Sequence, residues 1–103
     1  MLSKKELFNA QSASQPLEEG IEINVTAVGT YEDKDKDGND VTVSVLVDES
    51  GDVYAGISAT VASSIPMLDE IITEAKEKGE TVTVEVVKNT SKGGRKFTQL
   101  RIL

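Results

Sequence analysis

Two groups of side chains have types and spacing that could do chemistry, and the first is a run of carboxylates. Asp33, Asp35 and Asp37 alternate and precede Gly38, which is how a calcium-binding loop begins. Such a loop also needs a bidentate Glu at its twelfth position, and counting from Asp33 that position is Ser44. We therefore predict an acidic, solvated hairpin loop over 32–40 and no metal site. A weak cation site, or a contact with a basic partner, stays open for this loop.

The second group is cationic and lies near the end of the chain. Its members are Lys88, Lys92, Arg95, Lys96 and Arg101, with Gln99 among them. Cations spaced along a strand can follow the phosphates of a single-stranded nucleic acid. The Gly-rich stretch "NTSKGG" between them has the length of a hairpin loop, and Gly93 and Gly94 would let its tip approach a strand closely. The alternative is a solvated, charged edge that prevents strand pairing.

Aromatic side chains could complete such a site by stacking on bases. The sequence has only four of them, Phe8, Tyr31, Tyr54 and Phe97. Tyr54 and Phe97 oppose the aliphatic face of their own predicted strands, which indicates an outward position, although a place in the core is the common alternative. Stacking contributes about 1–3 kcal/mol per base and tolerates any base. We predict Tyr31, Tyr54 and Phe97 as stacking residues beside the cations.

The composition narrows the classes of function. The chain of 103 residues has neither Cys nor His, which removes disulfides, thiolate nucleophiles, the usual zinc sites and the commonest general base. No cofactor motif is visible, so we predict a protein that is not an enzyme and needs no cofactor. No run approaches the roughly 18 apolar residues of a membrane helix, and the first residues lack a signal sequence. We predict a cytoplasmic location with no membrane contact.

The charge is divided along the chain. Residues 1–87 hold all 18 acidic and six basic side chains, a net charge of −12, whereas 88–103 hold five basic and no acidic ones. An acidic protein with one basic end repels polyanions broadly and admits them along one strip.

The elements that position these residues follow from the hydrophobic period. Residues 1–19 are polar and are predicted as an N-terminal arm, free to be flexible, in which Ser3 and Glu6 could form a capping box. Period-two stretches predict strands in "IEINVTA", "VTVSVLVDE", "VYAGIS", "ETVTVEVVK" and "RKFTQLRIL". Between the third and fourth strands, apolar residues recur at helical spacing and predict a helix that starts next to Pro66 and ends at Gly79. The apolar stripe of this helix consists of Met67, Leu68, Ile71, Ile72 and Ala75.

The resulting order over 20–103 is β-β-β-α-β-β. This mostly β layout with one helix predicts an OB-fold-like five-stranded barrel with the helix at one end.

Three segments carry a resemblance to a known family. They are "GIEINVTAVGTY", "GDVYAGISATVASSI" and "VEVVKNTSKGGRKFTQLRIL", in that order over most of the domain. The chain resembles the small single-stranded-DNA-binding proteins of tailed bacteriophages with protein-primed replication. The resemblance implies an OB-fold that coats exposed single strands during phage or prophage replication without strong sequence preference, in the host cytoplasm. Tyr31, Tyr54 and Phe97 fall where that family carries aromatics, whereas the 32–40 loop is more acidic than in the family.

The partner implied is single-stranded DNA, with homo-oligomers or cooperative binding along the strand left open. A second function also stays open, because one fold serves many ligands. An OB-like module that binds a protein and no nucleic acid would be indifferent to salt, whereas phosphate binding would weaken with it.

Overall fold

The computed structural model describes all 103 residues. The chain forms two helices and six strands, and the six strands make one sheet. The helices are α1 (Lys4–Ala13) and α2 (Ala59–Glu77). The strands are β1 (Gln15–Pro16), β2 (Glu22–Lys34), β3 (Asp40–Asp48), β4 (Val53–Gly56), β5 (Val82–Thr90) and β6 (Lys96–Ile102). The sheet order is β1-β4-β3-β2-β5-β6, and all neighbours are antiparallel except β1 and β4.

The prediction of an OB-fold-like five-stranded barrel with one helix is confirmed only in part, because the sheet has six strands, does not close into a barrel and is covered by two helices. The order β-β-β-α-β-β is confirmed for β2 to β6, but the sheet curls only into a half-barrel with free edges at β1 and β6. Closure would require pairing between β4 and β6. β4 is only four residues long, its far side pairs with β1, and the chain then turns directly into α2.

Both faces of the sheet are covered, one by each helix. Successive residues of a strand point to opposite faces, so Val45 and Leu46 lie on different sides. Leu46 belongs to the larger core under α2, with Val28, Ile65 and Val84. Val45 belongs to a smaller core of four buried residues under α1, which also contains Leu2, Ala10 and Val43. The fold is therefore a three-layer arrangement in which both helices position the sheet.

The N-terminal segment packs on the sheet. α1 begins with the predicted capping box, in which Ser3 Oγ accepts the Glu6 N–H and the Glu6 carboxylate accepts the Ser3 N–H. A Cβ on Gly29 would lie 3.1 Å from side-chain atoms of both Leu2 and Leu7, so the absence of a side chain there allows the close approach of this segment. The boundary between an arm over 1–19 and a domain over 20–103 stays a prediction.

α2 begins seven residues before Pro66, earlier than the sequence predicts. Ser58 is the N-cap and its hydroxyl accepts the N–H of Val61 at 3.3 Å. Pro66 lies inside the helix, where it removes one backbone hydrogen bond. The earlier start buries Val61 and Ile65 completely, which offsets that cost. No helix of the structure is long and apolar enough to cross a membrane.

A β-bulge in β2 marks the point where β2 changes its pairing partner from β5 to β3. β2 pairs with β5 up to Val25 and with β3 from there on, with a register shift between Val25 and Ala27. The carboxylate of Asp48 holds this point, because it accepts the N–H of Asn24 and the N–H of Ser50, both at 2.9 Å. Such bulges bend a strand and increase its twist. Asp48 thus helps to set the curvature of the sheet.

We expect Asp48→Asn to lower the free energy of unfolding at pH 7 by about 1 kcal/mol, since it weakens charge-assisted hydrogen bonds at a partly exposed position. The backbone N–H and hydroxyl of Ser50, followed by the Asn24 N–H, outweigh burial and lower the pKa of Asp48. A lowered pKa gives stability that is present above the unfolded value of about 3.9 and lost as the pH falls through the folded one. Urea unfolding followed by circular dichroism at pH 7 and pH 3 should show the difference shrinking in acid.

The matched control for Asp48 is Asp37→Asn, because the Asp37 side chain is exposed and accepts no hydrogen bond. Equal losses of stability for Asp48→Asn at both pH values would contradict the assigned role of the carboxylate.

Candidate nucleic-acid interface

The gap left between β4 and β6 is a groove of about 490 Å³. One wall is the turn from β4 into α2, residues 55–60, with Pro16 and Leu17 of the N-terminal segment beside it. The other wall comes from the β5–β6 hairpin and contains Lys88, Lys96, Phe97 and Thr98. The groove is therefore an open cleft with an apolar part and two cations along one side.

Strand register places the cations and the ring of the groove. Lys88 lies opposite Thr98, and Lys96 precedes Thr98 by two residues, so all three share one face of the hairpin. Phe97 lies opposite Asn89 on the other face and is half-buried at the rim. Both lysines are exposed. The groove runs along the free edge of β6, so side chains from both faces of that strand line it, and Phe97 and both lysines are among them.

One hydrogen bond spans the gap. The hydroxyl of Ser58 donates to the carbonyl of Thr98 on β6 at 2.8 Å, while its oxygen also caps α2. This contact fixes the distance between the two walls where a full strand pairing would otherwise close the barrel. The groove thus has a defined width and stays open along β6.

The tip of the hairpin carries two further cations. Residues 91–95 form the turn, in which the Ser91 N–H donates to the Arg95 carbonyl at 2.8 Å and Gly94 has a φ of 82°. Lys92 and Arg95 are exposed there. None of Lys88, Lys92, Arg95 and Lys96 takes part in any of the three ion pairs of the structure. Their charges are therefore available to an anionic ligand.

Gln99 and Arg101 lie on the Phe97 face of β6 but are bonded within the protein. The Gln99 amide oxygen accepts a hydrogen bond from the Asn89 side chain, and Arg101 forms an ion pair with Glu85 on β5. Glu85 in turn lies directly opposite Glu22 on β2. Like charges in that position repel, so Arg101 relieves the repulsion of two carboxylates. Arg101 would have to leave Glu85 to reach a phosphate.

We expect Glu85→Gln to raise the affinity for a short oligo-dT strand at low salt by about three- to fivefold. The substitution removes one negative charge beside the basic hairpin and releases Arg101, and a unit charge at contact distance in water is worth about 1 kcal/mol. Fluorescence anisotropy of a labelled strand measures the change. Glu77→Gln, the same change of charge at the far end of α2, is the control, and an equal gain there would remove Glu85 and Arg101 from the explanation.

The two tyrosines lie outside the groove. Tyr31 is opposite Val43 and packs against the smaller core under α1, and burial together with the nearby Asp33 raises its pKa. Tyr54 is opposite Leu46 and packs against the larger core under α2. The expectation that Tyr54 points outward is wrong, because the face opposite Val53 and Ala55 is the one that α2 covers. Base contacts by Tyr31 and Tyr54 stay predictions.

Four residues of the groove are not among the site residues predicted from the sequence: Pro16, Leu17, Ile57 and Ser58. Pro16 and Leu17 belong to the predicted arm and reach the groove only because β1 pairs with β4. Gly56 permits this approach, since a Cβ there would lie 3.1 Å from Leu17. The predicted strand "VYAGIS" includes Ile57, but β4 ends at Gly56, and Ile57 is 57% exposed in the groove wall. The sequence signal that marks this turn is Ser58, a residue type favoured at helix N-caps, directly after Ile57.

The acidic loop is the β2–β3 hairpin turn, as predicted. The Asp35 carboxylate accepts the N–H groups of Asp37 and Asn39, both at 2.9 Å, and these bonds, that of Asn39 above all, lower its pKa. Asp35 is thus used to hold the turn. No three acidic side chains in the structure converge as a metal site would require.

Comparison with known proteins decides the family. A family model described as phage single-stranded DNA-binding protein matches residues 2–103. The chain belongs to this family. The single-stranded DNA-binding protein of Bacillus phage PZA is 33% identical over an alignment of 103 positions, and the alignment covers 93% of this chain and 82% of the relative. That of Bacillus phage phi29 is 32% identical with the same coverage. No solved structure matches.

The family assignment confirms two predictions. The resemblance to phage single-stranded-DNA-binding proteins is confirmed over nearly the whole chain, including most of 1–19. The family consists of binding proteins, so the prediction that the protein is not an enzyme is confirmed as well. As a member of this family the chain has single-stranded DNA as its implied ligand.

Proposed function

We propose that this protein coats single-stranded DNA without sequence preference during phage DNA replication, and that the strand enters the groove between β4 and β6. One observation supports the proposal most strongly: Phe97, Lys88 and Lys96 line the same open groove, in a chain that belongs to the phage single-stranded DNA-binding family. A ring and two cations are what a single-strand site needs, because the ring stacks on any base and the cations follow the phosphates.

The path of the strand continues along the hairpin. Lys92 and Arg95 at its tip extend the line of positive charge beyond Lys88 and Lys96, and all four lack an acidic partner. The acidic remainder of the protein keeps the strand on this strip, and at physiological ionic strength its repulsion is screened over about 8 Å. Neutralising three to five phosphates would give a slope of log K against log salt of about −2 to −3.5.

The strand order supports an OB-like assignment. β4-β3-β2-β5-β6 is a meander of three strands joined on one side to the final hairpin, with α2 between the two parts. An OB-fold is a five-stranded, partly open Greek-key barrel that binds oligonucleotides on its strands and loops. The proposal therefore includes an OB-like fold whose barrel is open between β4 and β6, and single-stranded DNA binds in this opening.

We expect Phe97→Ala to weaken binding of a short oligo-dT strand by about tenfold, since stacking on one base contributes about 1–3 kcal/mol. Anisotropy of a labelled strand just long enough for one protomer measures the affinity, and circular dichroism verifies the fold. Phe8→Ala is the matched control, because Phe8 is 72% exposed on α1 and does not line the groove.

Unchanged affinity for Phe97→Ala would place the DNA elsewhere on the sheet. A wild-type protein that is folded but does not bind the strand at low or moderate salt would contradict the proposal and favour the protein-binding module.

A further inference from the structure

One aromatic side chain is used neither by the core nor by the groove. Phe8 lies on the outward face of α1 and is 72% exposed. Lys4 and Lys5 precede it by four and three residues, so the three side chains are neighbours on one helix face. We call Lys4, Lys5 and Phe8 the α1 face. It is an exposed ring beside two exposed cations.

A small apolar pocket lies between α2 and the β5–β6 hairpin. Its volume is about 190 Å³. Its hydrophobic lining residues are Met67, Leu68, Ile71, Val84, Leu100 and Ile102. Met67 and Ile102 form an exposed rim, at 68% and 48% exposure. We call this the α2 pocket.

The α1 face and the α2 pocket are complementary in size. An apolar cavity of about 150 Å³ holds a benzene molecule, so the α2 pocket has room for one phenyl ring.

They are also complementary in charge. Glu70 and Glu74 follow Met67 and Ile71 by three residues each and are exposed, so two carboxylates stand beside the rim. Neither they nor Lys4 and Lys5 form an ion pair within the chain. A ring flanked by two cations thus matches an apolar pocket flanked by two anions.

We infer that the occupant of the α2 pocket is Phe8 of a second copy of this chain. The α1 face and the α2 pocket have no residue in common, so they are two different surfaces of one molecule. A contact between two different surfaces is heterologous, so each copy can bind a further one, and copies held side by side on one strand form a row. Neither surface shares a residue with the groove, so each copy keeps its DNA site open.

The contact between the α1 face and the α2 pocket is small, so we expect it to form between neighbours on one DNA strand and only weakly between free molecules. One ring and two charge pairs bury far less than the roughly 1,200 Å² of a stable interface, so free molecules associate weakly. Neighbours on one DNA strand are held at high effective concentration, and there a weak contact produces cooperative binding. The inference rests on the proposed function only for this last step.

Cysteine cross-linking tests the contact directly, because the chain has no cysteine of its own. The cysteines are placed beside the contact so that Phe8 and Met67 are kept: Ser12→Cys lies one helical turn after Phe8, and Ser63→Cys lies at the polar edge of the α2 pocket. The two variants are prepared as separate proteins of different tagged mass, mixed on a long dT strand and oxidised. We expect the mixed disulfide to exceed either symmetric disulfide by at least about tenfold. Ser50→Cys, exposed on the β3–β4 turn, is the control. Symmetric or statistical products, or no cross-link on a coated strand, would overturn the inference.

A binding measurement separates this inference from the proposed function. Phe8→Ala should lower the apparent affinity for a long dT strand by at least about tenfold, as the loss of an interface anchor does, and leave the affinity for a single-protomer strand unchanged. Equal effects on both strands would overturn the contact. If the wild-type protein binds neither strand, the proposed function fails, and cross-linking of the free protein at high concentration then decides the contact alone.

Discussion

Reversing the charge of both groove lysines, Lys88→Glu with Lys96→Glu, is expected to lower the affinity for a short oligo-dT strand by about 100-fold at low salt. Each charged donor to a phosphate contributes about 1.5 kcal/mol or more. Losing two such contacts removes about 3 kcal/mol, and every 1.4 kcal/mol is a factor of ten. Both lysines line the groove and neither has an acidic partner in the protein. Nothing in the fold compensates for their loss.

The salt dependence gives a second, independent readout of the double variant. Each phosphate contact to a single strand contributes about 0.7 to the slope of log K against log salt. The slope should therefore become shallower by about 1.4 when both lysines are reversed. A shift in affinity without a change of slope would mean that the lysines act on the fold and not on phosphates.

A matched pair of lysines controls for net charge. Lys76→Glu with Lys78→Glu makes the same change of charge at the end of α2, outside the groove. Its effect should be only that of a more acidic protein and should vanish as salt is raised, because exposed charges are screened. Equal losses for both double variants would contradict the placement of DNA in the groove between β4 and β6.

Ile65→Ala is expected to lower the free energy of unfolding by about 2–4 kcal/mol. Ile65 is completely buried in the larger core, where α2 meets the sheet. Truncation to alanine loses the transfer free energy of the removed methyl groups and leaves a cavity. Small domains have only about 5–15 kcal/mol in total, so the loss should appear clearly in the midpoint of urea unfolding.

Met67→Ala, two residues along the same helix, is the control for Ile65. Met67 is 68% exposed, so its truncation should change stability by less than about 0.5 kcal/mol. The sequence pattern predicts that Met67 lies in the buried stripe of α2 and that Ile65 lies before the helix. The structure instead buries Ile65 and exposes Met67, so the two variants distinguish the predicted helix from the observed one. A larger loss for Met67→Ala than for Ile65→Ala would show that α2 does not pack as the structure has it.

Several features of the site follow from sequence pattern. The period of two in β5 and β6 places Leu100 and Ile102 on one face and Phe97, Gln99 and Arg101 on the other, and the observed register agrees. The lack of acidic side chains after residue 87 marks the hairpin as the basic end. Both signals are local, because side-chain alternation and net charge do not depend on what the strand packs against.

Other features depend on distant residues and could not be read from the pattern. Period two separates Tyr54 from Val53 and Ala55, but it does not say which face receives the larger helix. Here both faces receive one, since α1 covers Val45 and α2 covers Leu46, so no strand face of this region is fully open. A half-buried aromatic at position 54 is compatible with either outcome until the helices are placed.

The sequence by itself determined the elements of 20–103, the order β-β-β-α-β-β, the acidic hairpin turn, the basic final hairpin and the family. Only the tertiary structure decided that the barrel stays open, that residues 1–19 supply a second helix and part of the groove wall, and that Phe97, Lys88 and Lys96 share one cleft while the tyrosines do not. The physical reason is the range of the interactions. Alternation, capping and turn chemistry act over a few residues. Closure instead depends on β4 and β6, which are separated in the chain by α2 and β5, and here β1 takes the free edge of β4 while Ser58 makes a single hydrogen bond to β6.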